Sequence, residues 1–271
     1  MNKSKLKVVF VTMDEPFYIP VYINNIFRRL PKKVEVIKVY ALHPHLANRS
    51  FLHTVQDYFS YFGFIVFTYM VLLRLFYIIC DLFNQHFKVS SRFHSVKLVC
   101  EKYNIPCSKT FKINAKEVIS ELKGLQPDII FSVSSPQIFK EDFIALPLKG
   151  CLNIHSSLLP SYRGQNANFW VMAKGEKETG VTIHYINPGI DDGDILLQEK
   201  IVIQNDWSLH DLYMKAIETG SNMIAKSLQL VYQDKVTTKK NDVSKGSFFS
   251  FPSKSDVKEF RSRNKRFFKY Y

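Results

Sequence analysis

The chain has 271 residues, 46% of them hydrophobic, with 37 Lys/Arg against 24 Asp/Glu and a formal net charge of +13. That apolar share is enough for a full core and excludes a chain without one, and the length allows one large domain or two small ones. The positive balance suits an anionic partner (a nucleotide, a nucleic acid or an acidic membrane surface), although many basic proteins owe such a charge to solubility alone.

Residues 7–12, Lys-Val-Val-Phe-Val-Thr, are an apolar run that predicts a buried first strand. A turn with two prolines follows over 13–20, then a helix over 21–30 and a second strand over 34–40. Strand, helix and strand with short joints indicate a parallel α/β sheet. The first turn has no glycine-rich phosphate loop, so no dinucleotide is expected there. Residues 61–80 are almost wholly apolar and aromatic, about the length of a bilayer span, and carry a single charge at Arg74. Three readings compete: a buried or partner-covered helix, which is favoured, a helix lying on a membrane, and a true span. A span is discounted, because a mid-bilayer charge costs roughly 2.5–3.5 kcal/mol and the crossing would divide one sheet between two sides.

Further along, helices are expected over 90–103, 114–122 and 137–146, the last closed by Pro147. A short edge strand is expected over 104–107 and a buried one over 127–133. Residues 207–232 read as a long helix with Ser208 as N-cap and Asp211 as its capping-box partner. The tail is basic and aromatic: from 232 to 271 there are eleven Lys/Arg against four Asp/Glu, a net of +7. It could hold tRNA or a nucleotide diphosphate, or cover an apolar face of the domain with its charges reaching water. The organisation expected is a domain over 1–232, with a helical insertion over about 50–90, and an extension over 233–271. Cys80, Cys100, Cys107 and Cys151 form no Cys-x-x-Cys pair. They read as reduced thiols of a cytoplasmic protein, with no metal site; no signal peptide opens the chain.

The chemistry concentrates between 151 and 196. Asn153 and His155 are two apart on a strand, so one amide and one imidazole project from the same face. A lone histidine in a core strand is usually structural. This one stands where the strand ends, and strand carboxyl ends are where parallel sheets build sites. His184 alternates on an interior strand and reads as structural or supporting. Asp191, in the turn Asp-Asp-Gly-Asp, is either turn chemistry or a carboxylate that holds His155 protonated or takes protons from an attacking amine. An amide able to donate to an oxyanion, an imidazole and a carboxylate are the parts of an acyl transfer to a nucleophile.

Three ordered blocks carry a resemblance: Asn-Ile-His-Ser-Ser-Leu-Leu-Pro-Ser-Tyr-Arg-Gly from Asn153, Thr-Gly-Val-Thr-Ile-His from Thr179, and Gly-Ile-Asp-Asp-Gly-Asp-Ile-Leu from Gly189. Together they resemble the folate-dependent formyltransferase family, clearly over about 128–204 and more loosely over most of the chain. That family includes enzymes acting on methionyl-tRNA, glycinamide ribonucleotide and amino-sugar nucleotides. The resemblance implies a Rossmann-like formyltransferase domain, a mostly parallel sheet flanked by helices, with 10-formyltetrahydrofolate as co-substrate. It places the catalytic residues at Asn153, His155 and Asp191. It places the folate at Ser134, Ser135, Gln137 and Ile138, at Ser157, Leu158, Leu159 and Pro160, and at Gly189, Ile190 and Asp192. A primary amine then attacks the formyl carbon, Asn153 and protonated His155 stabilise the oxyanion, and Asp191 raises the proton affinity of His155.

Departures bear on the acceptor. Once the tail is counted, the chain lacks room for the separate C-terminal barrel of the tRNA enzyme, and it lacks the glycine-rich loop of the purine enzyme. Arg163, Gln165, Asn166 and Asn168 follow the folate segment and are expected to face the acceptor; this set suits a sugar or phosphate. The expectation is therefore an amino-sugar nucleotide of surface-polysaccharide synthesis. The alternatives are methionyl-tRNA, water in a formyltetrahydrofolate hydrolase, and a non-catalytic membrane-surface or interaction protein on the same scaffold. Peripheral membrane contact through 61–80, at the inner face of the membrane, and an oligomer both fit the pattern.

Overall fold

The apolar run that opens the chain becomes the strand on which the others assemble. The structure, a computed structural model, describes residues 4–44, 51–87 and 93–269. Its first half comprises β1 (Leu6–Met13), α1 (Ile19–Arg29), β2 (Val34–Leu42), α2 (Phe51–Phe87), α3 (Val96–Lys102), β3 (Cys107–Thr110), α4 (Lys116–Leu125), β4 (Ile129–Val133) and α5 (Glu141–Ile144). The second comprises β5 (Cys151–His155), β6 (Arg163–Gly164), α6 (Ala167–Ala173), β7 (Glu178–Tyr185), β8 (Ile195–Val202), α7 (Leu209–Tyr232), β9 (Phe248–Phe249) and α8 (Lys254–Ser262).

Seven strands form one sheet in the order β3-β2-β1-β4-β5-β7-β8. The first five are parallel, and β7 and β8 return antiparallel. Strand β1 shows why its sequence lacks polar alternation. Val8 and Phe10 enter the core under α1, α3 and α7, whereas Val9 and Val11 enter the core under α4 and α5. A strand covered on both faces must be apolar on both. Strand order reverses between β1 and β4, which opens a crevice at their carboxyl ends. The N terminus of α1, where a phosphate would sit in a nucleotide-binding fold, is filled by the chain's own Glu15. Its carboxylate accepts from the N–H groups of Phe17, Tyr18 and Ile19 at 2.6, 2.9 and 3.2 Å.

Several expected elements shift, for local reasons. The helix expected over 90–103 begins at Val96, where the Ser95 hydroxyl accepts from Leu98 N; residues 90–92 lie outside those described. The edge strand expected over 104–107 begins only at Cys107, because Asn104 takes a left-handed turn with φ 54°. The helix expected over 137–146 shrinks to α5. Gln137 spends its side chain on Phe111 O and Ile113 N, and Asn114 holds Ile138 O and Lys140 N, so residues 137–140 are kept as a loop.

Residues 61–80 are not buried within the domain. They belong to α2, which is broken at Gly63 (φ 74°, ψ 169°) into two helical parts. Over 55–87 only Tyr61, Val66 and Asn84 are buried. The ends of the insertion expected over about 50–90 (residue 50 and residues 88–90) lie outside those described. The tail does cover an apolar face: β9 pairs with β6, and Phe260 and Phe267 join the core that contains α1 and α7.

The capping box at the start of α7 is as expected. The Ser208 hydroxyl accepts from Asp211 N, while the Asp211 carboxylate accepts from Ser208 N at 2.8 Å. Ser208→Ala is expected to cost about 1 kcal/mol of unfolding free energy, read from urea titration.

Candidate active site

Asn153 and His155 leave the same face of β5 near its carboxyl end, and β7 runs antiparallel beside them with His184 paired to Asn153. The β7–β8 connection then carries Asp191 back over both. The Asp191 backbone is left-handed, with φ 49°, and its carbonyl accepts from Asn241 Nδ2 at 3.0 Å. The result is a cluster of four. His155 Nδ1 lies 3.5 Å from Asp191 Oδ2, and His184 Nε2 lies 3.6 Å from Asp191 Oδ1. Asn153 Nδ2 lies 3.4 Å from Asp191 Oδ1 and 3.1 Å from His184 Nε2.

Hydrogen-bond chemistry assigns the protons. His155 Nε2 faces the Tyr162 carbonyl at 2.7 Å, which can only accept, so that nitrogen carries hydrogen. A second proton on His155 therefore sits at Nδ1, facing Asp191. His184 Nδ1 likewise donates to Tyr185 O at 2.8 Å, leaving Nε2 to accept from the Asn153 amide. Both Asn153 amide hydrogens are thus engaged, and the longer contact, to Asp191, is the one an incoming oxygen competes for. Burial pushes the Asp191 carboxyl up. The charge of the facing His155 and the Gly164 N–H donated to Oδ2 at 2.8 Å outweigh it and hold the group well below the usual carboxylate range. The arrangement is an ionised carboxylate, an imidazole and an amide, almost closed to solvent: His155 is 8% exposed.

The other expected residues divide. Ser157 and Leu159 are buried and hold the loop instead of facing a ligand. Ser157 Oγ donates to Ser161 O at 2.7 Å, and Thr182 Oγ1 donates to Ser157 O at 2.6 Å. Leu158 lies against Gly180 of β7, where any Cβ would strike the Leu158 side chain and the Glu199 carbonyl. That explains the Thr-Gly-Val-Thr pattern. Ser134 is exposed with φ 57°, Ser135 bonds locally to Gln137, and the Gln137 side chain is committed to the 111–113 loop. Exposed Ile138 and Ile190, with Pro160 and Gly189, remain on the open side. Two depressions of about 390 and 420 Å³ flank the 187–194 loop. One is lined by Ile138 and Pro188, the other by Tyr185, Asn187 and Asp192.

On the acceptor side, Gln165 is exposed and Asn166 half-buried at the start of α6. The Arg163 guanidinium donates to Ile190 O at 3.3 Å and lies over the Phe248 ring. Asn168 does not face an open acceptor space. It is 1% exposed in a helix buried along its whole length, and its amide has no partner among the described residues. One member of the site has more weight than its sequence suggests, and one has no place in the sequence reading. His184 was legible only from the antiparallel register that sets it beside Asn153. Asn241 carries no local signal at all, since it comes from the tail fifty positions on.

Residues 84–228 match the family model described as formyl transferase. Methionyl-tRNA formyltransferase of Citrifermentans bemidjiense is 35% identical over 147 residues, 54% of this chain and 46% of that protein. The same enzyme of Alkaliphilus oremlandii is 34% identical over 135 residues, 50% of this chain and 44% of its own length. The chain thus spans about half the length of the curated relatives it matches. Among solved structures, the sugar 3N-formyl transferase WlaRD, in the presence of dTDP and 5-N-formyl-THF, superposes with a TM-score of 0.60 at 20% identity, covering 91% of this chain and 70% of that one. Phosphoribosylglycinamide formyltransferase of Anaplasma phagocytophilum gives 0.62 at 16%, covering 91% and 99%. At these identities the likeness is one of fold.

Proposed function

The chain belongs to the formyl transferase family, and on that premise we propose that it moves a formyl group from 10-formyltetrahydrofolate to a primary amine. The observation that carries this reading is that Asn153 and His155 each come within 3.5 Å of the Asp191 carboxylate. The residues around the cluster fit a folate. Asp192 Oδ1 is buried without a partner among the described residues and is an acceptor for the amino and ring N–H groups of a pterin. Ile138 and Ile190 offer exposed apolar surface for the flat ring. When bound, the folate supplies the electrophilic formyl carbon.

The chain's own groups then have separate tasks. Asp191, ionised at the outset, takes the proton that the attacking amine loses and passes it to the folate nitrogen, which leaves protonated as its bond to the formyl carbon breaks. His155, doubly protonated with Nε2 fixed on the Tyr162 carbonyl, places positive charge beside the formyl oxygen, and the Asn153 amide donates to that oxygen once released from Asp191. The buried setting excludes competing water.

The acceptor we favour is an amino-sugar nucleotide. The half-buried Arg163, whose Nε has no partner among the described residues, and the net charge of +13 support an anionic acceptor. The likeness in fold to a sugar 3N-formyl transferase supports it too. A second reading, methionyl-tRNA, is favoured by the 35% identity to relatives of that name. Incubating the protein with 10-formyltetrahydrofolate and, separately, amino-sugar nucleotides, charged initiator tRNA and buffer decides between them. Tetrahydrofolate release is expected only with an amino-sugar nucleotide. Release with buffer alone indicates hydrolysis, and release with none of them refutes the transfer.

A further inference from the structure

The second part of α2, residues 64–87, spans about 36 Å at 1.5 Å per residue. One face rests on the domain. Val66 is buried, Met70 packs on the core, Tyr69 meets Phe268 at 5.5 Å and Tyr77 stacks on His94 at 3.8 Å. The opposite face is apolar and open, with Leu72, Leu75 and Ile79 at 60%, 53% and 63% exposure amid Phe64, Ile65, Phe76, Leu82 and Phe83. Of its two charged residues, Asp81 accepts from His94 N at 2.9 Å, and Arg74 lies near enough to Glu15 for its charge to favour the ionised carboxylate. Such a face far exceeds the scattered apolar residues of an ordinary surface.

By length and composition alone this helix could cross a bilayer. The sheet forbids it. α2 lies in the connection between β2 and β3, which are parallel neighbours in one sheet, and the chain returns at His94 to touch Tyr77 and Asp81. Both ends therefore lie on one side.

We propose that α2 lies flat in the surface of an anionic lipid bilayer. Charge selects this occupant. The tail segment 253–269 carries seven Lys/Arg against two Asp/Glu, and it grips the start of the helix. Arg261 donates to Phe62 O at 2.9 Å, and the Phe267 ring lies 4.9 Å from Tyr61 and 5.1 Å from Phe62. An apolar stripe bordered by cations is the pattern of a helix seated at the boundary between anionic headgroups and acyl chains. A second copy of the chain would bring the same excess of positive charge to the contact. The inference is independent of the reaction at the cluster.

Sedimentation with vesicles tests it, using the full chain and vesicles of phosphatidylcholine alone or mixed with phosphatidylglycerol. Binding to the mixed vesicles is expected, at least about tenfold tighter than to the neutral ones, and weakened by high salt. The triple variant Leu72→Gln, Leu75→Gln, Ile79→Gln changes only outward side chains and is expected to lose binding by at least about tenfold. Absence of binding to anionic vesicles overturns the proposal. So does binding that the triple variant keeps, and so does a stable dimer that sequesters the face and falls apart in that variant. Should the variant fail to fold, the comparison of vesicle types and salt with the unaltered chain still decides.

Discussion

His155→Ala and Asp191→Asn are each expected to lower kcat by about 10²–10⁴-fold, the usual share of a positioned acid or base, while the fold stays intact. The geometry explains why both matter. His155 Nε2 is fixed on the Tyr162 carbonyl, so the ring meets the reaction only through the edge that faces Asp191 at 3.5 Å. Asparagine at 191 keeps an oxygen to accept the Gly164 N–H and preserves the turn, since asparagine tolerates positive φ. It removes the charge and replaces the oxygen that accepts from Asn153 by an NH2 group. The expected signature is therefore lost kcat with KM for the amine little changed, measured as tetrahydrofolate release. Near-normal turnover in either variant removes the assignment.

The same carboxylate predicts a pH dependence of stability. Its folded-state pKa is depressed by His155 and the Gly164 N–H despite burial. A depressed carboxylate stabilises the fold above its unfolded value of about 3.9 and loses that contribution as pH falls through the folded value. The difference in unfolding free energy between the chain and its Asp191→Asn variant should be flat from neutral pH down to about 5 and shrink below about 3.9. A gap that instead closes near neutrality would show that another group titrates.

How much of this was legible in the sequence depends on the range of the interaction. Asn153 and His155 share a face by strand periodicity alone, and the capping box of Ser208 and Asp211 is local, so both were readable. His184 was undervalued because its importance comes from pairing with Asn153 across an antiparallel join, a long-range fact. Asn168 was misplaced because a polar residue in a short helix reads as exposed, whereas every residue of α6 is buried, between α7 and β7 and the tail helix α8. The helix expected from residue 137 failed because two side chains, Gln137 and Asn114, captured the backbone groups and kept a loop. For residues 61–80, composition established a helix but could not say which side the domain would cover.

Phe169→Ala is expected to have the largest effect on stability, about 3–5 kcal/mol. The ring is fully buried where three segments distant in sequence meet. It lies 5.2 Å from Tyr61, just before the break in α2, 5.0 Å from Phe260 of α8, 5.5 Å from Trp170 and 6.4 Å from Phe267. Removing it leaves a cavity that none of the three can close without losing the others, which is the condition for a cost at the upper end of the range. Leu148, the most open large apolar side chain among the described residues, is the control: Leu148→Ala should stay within about 0.5 kcal/mol. Urea titration of the two variants gives the comparison. Because α6 follows directly on Gly164, whose N–H holds Asp191, the Phe169 variant should also turn over more slowly at temperatures where it is still folded. Equal midpoints for the two variants would mean that the tail, α2 and α6 do not depend on one shared ring.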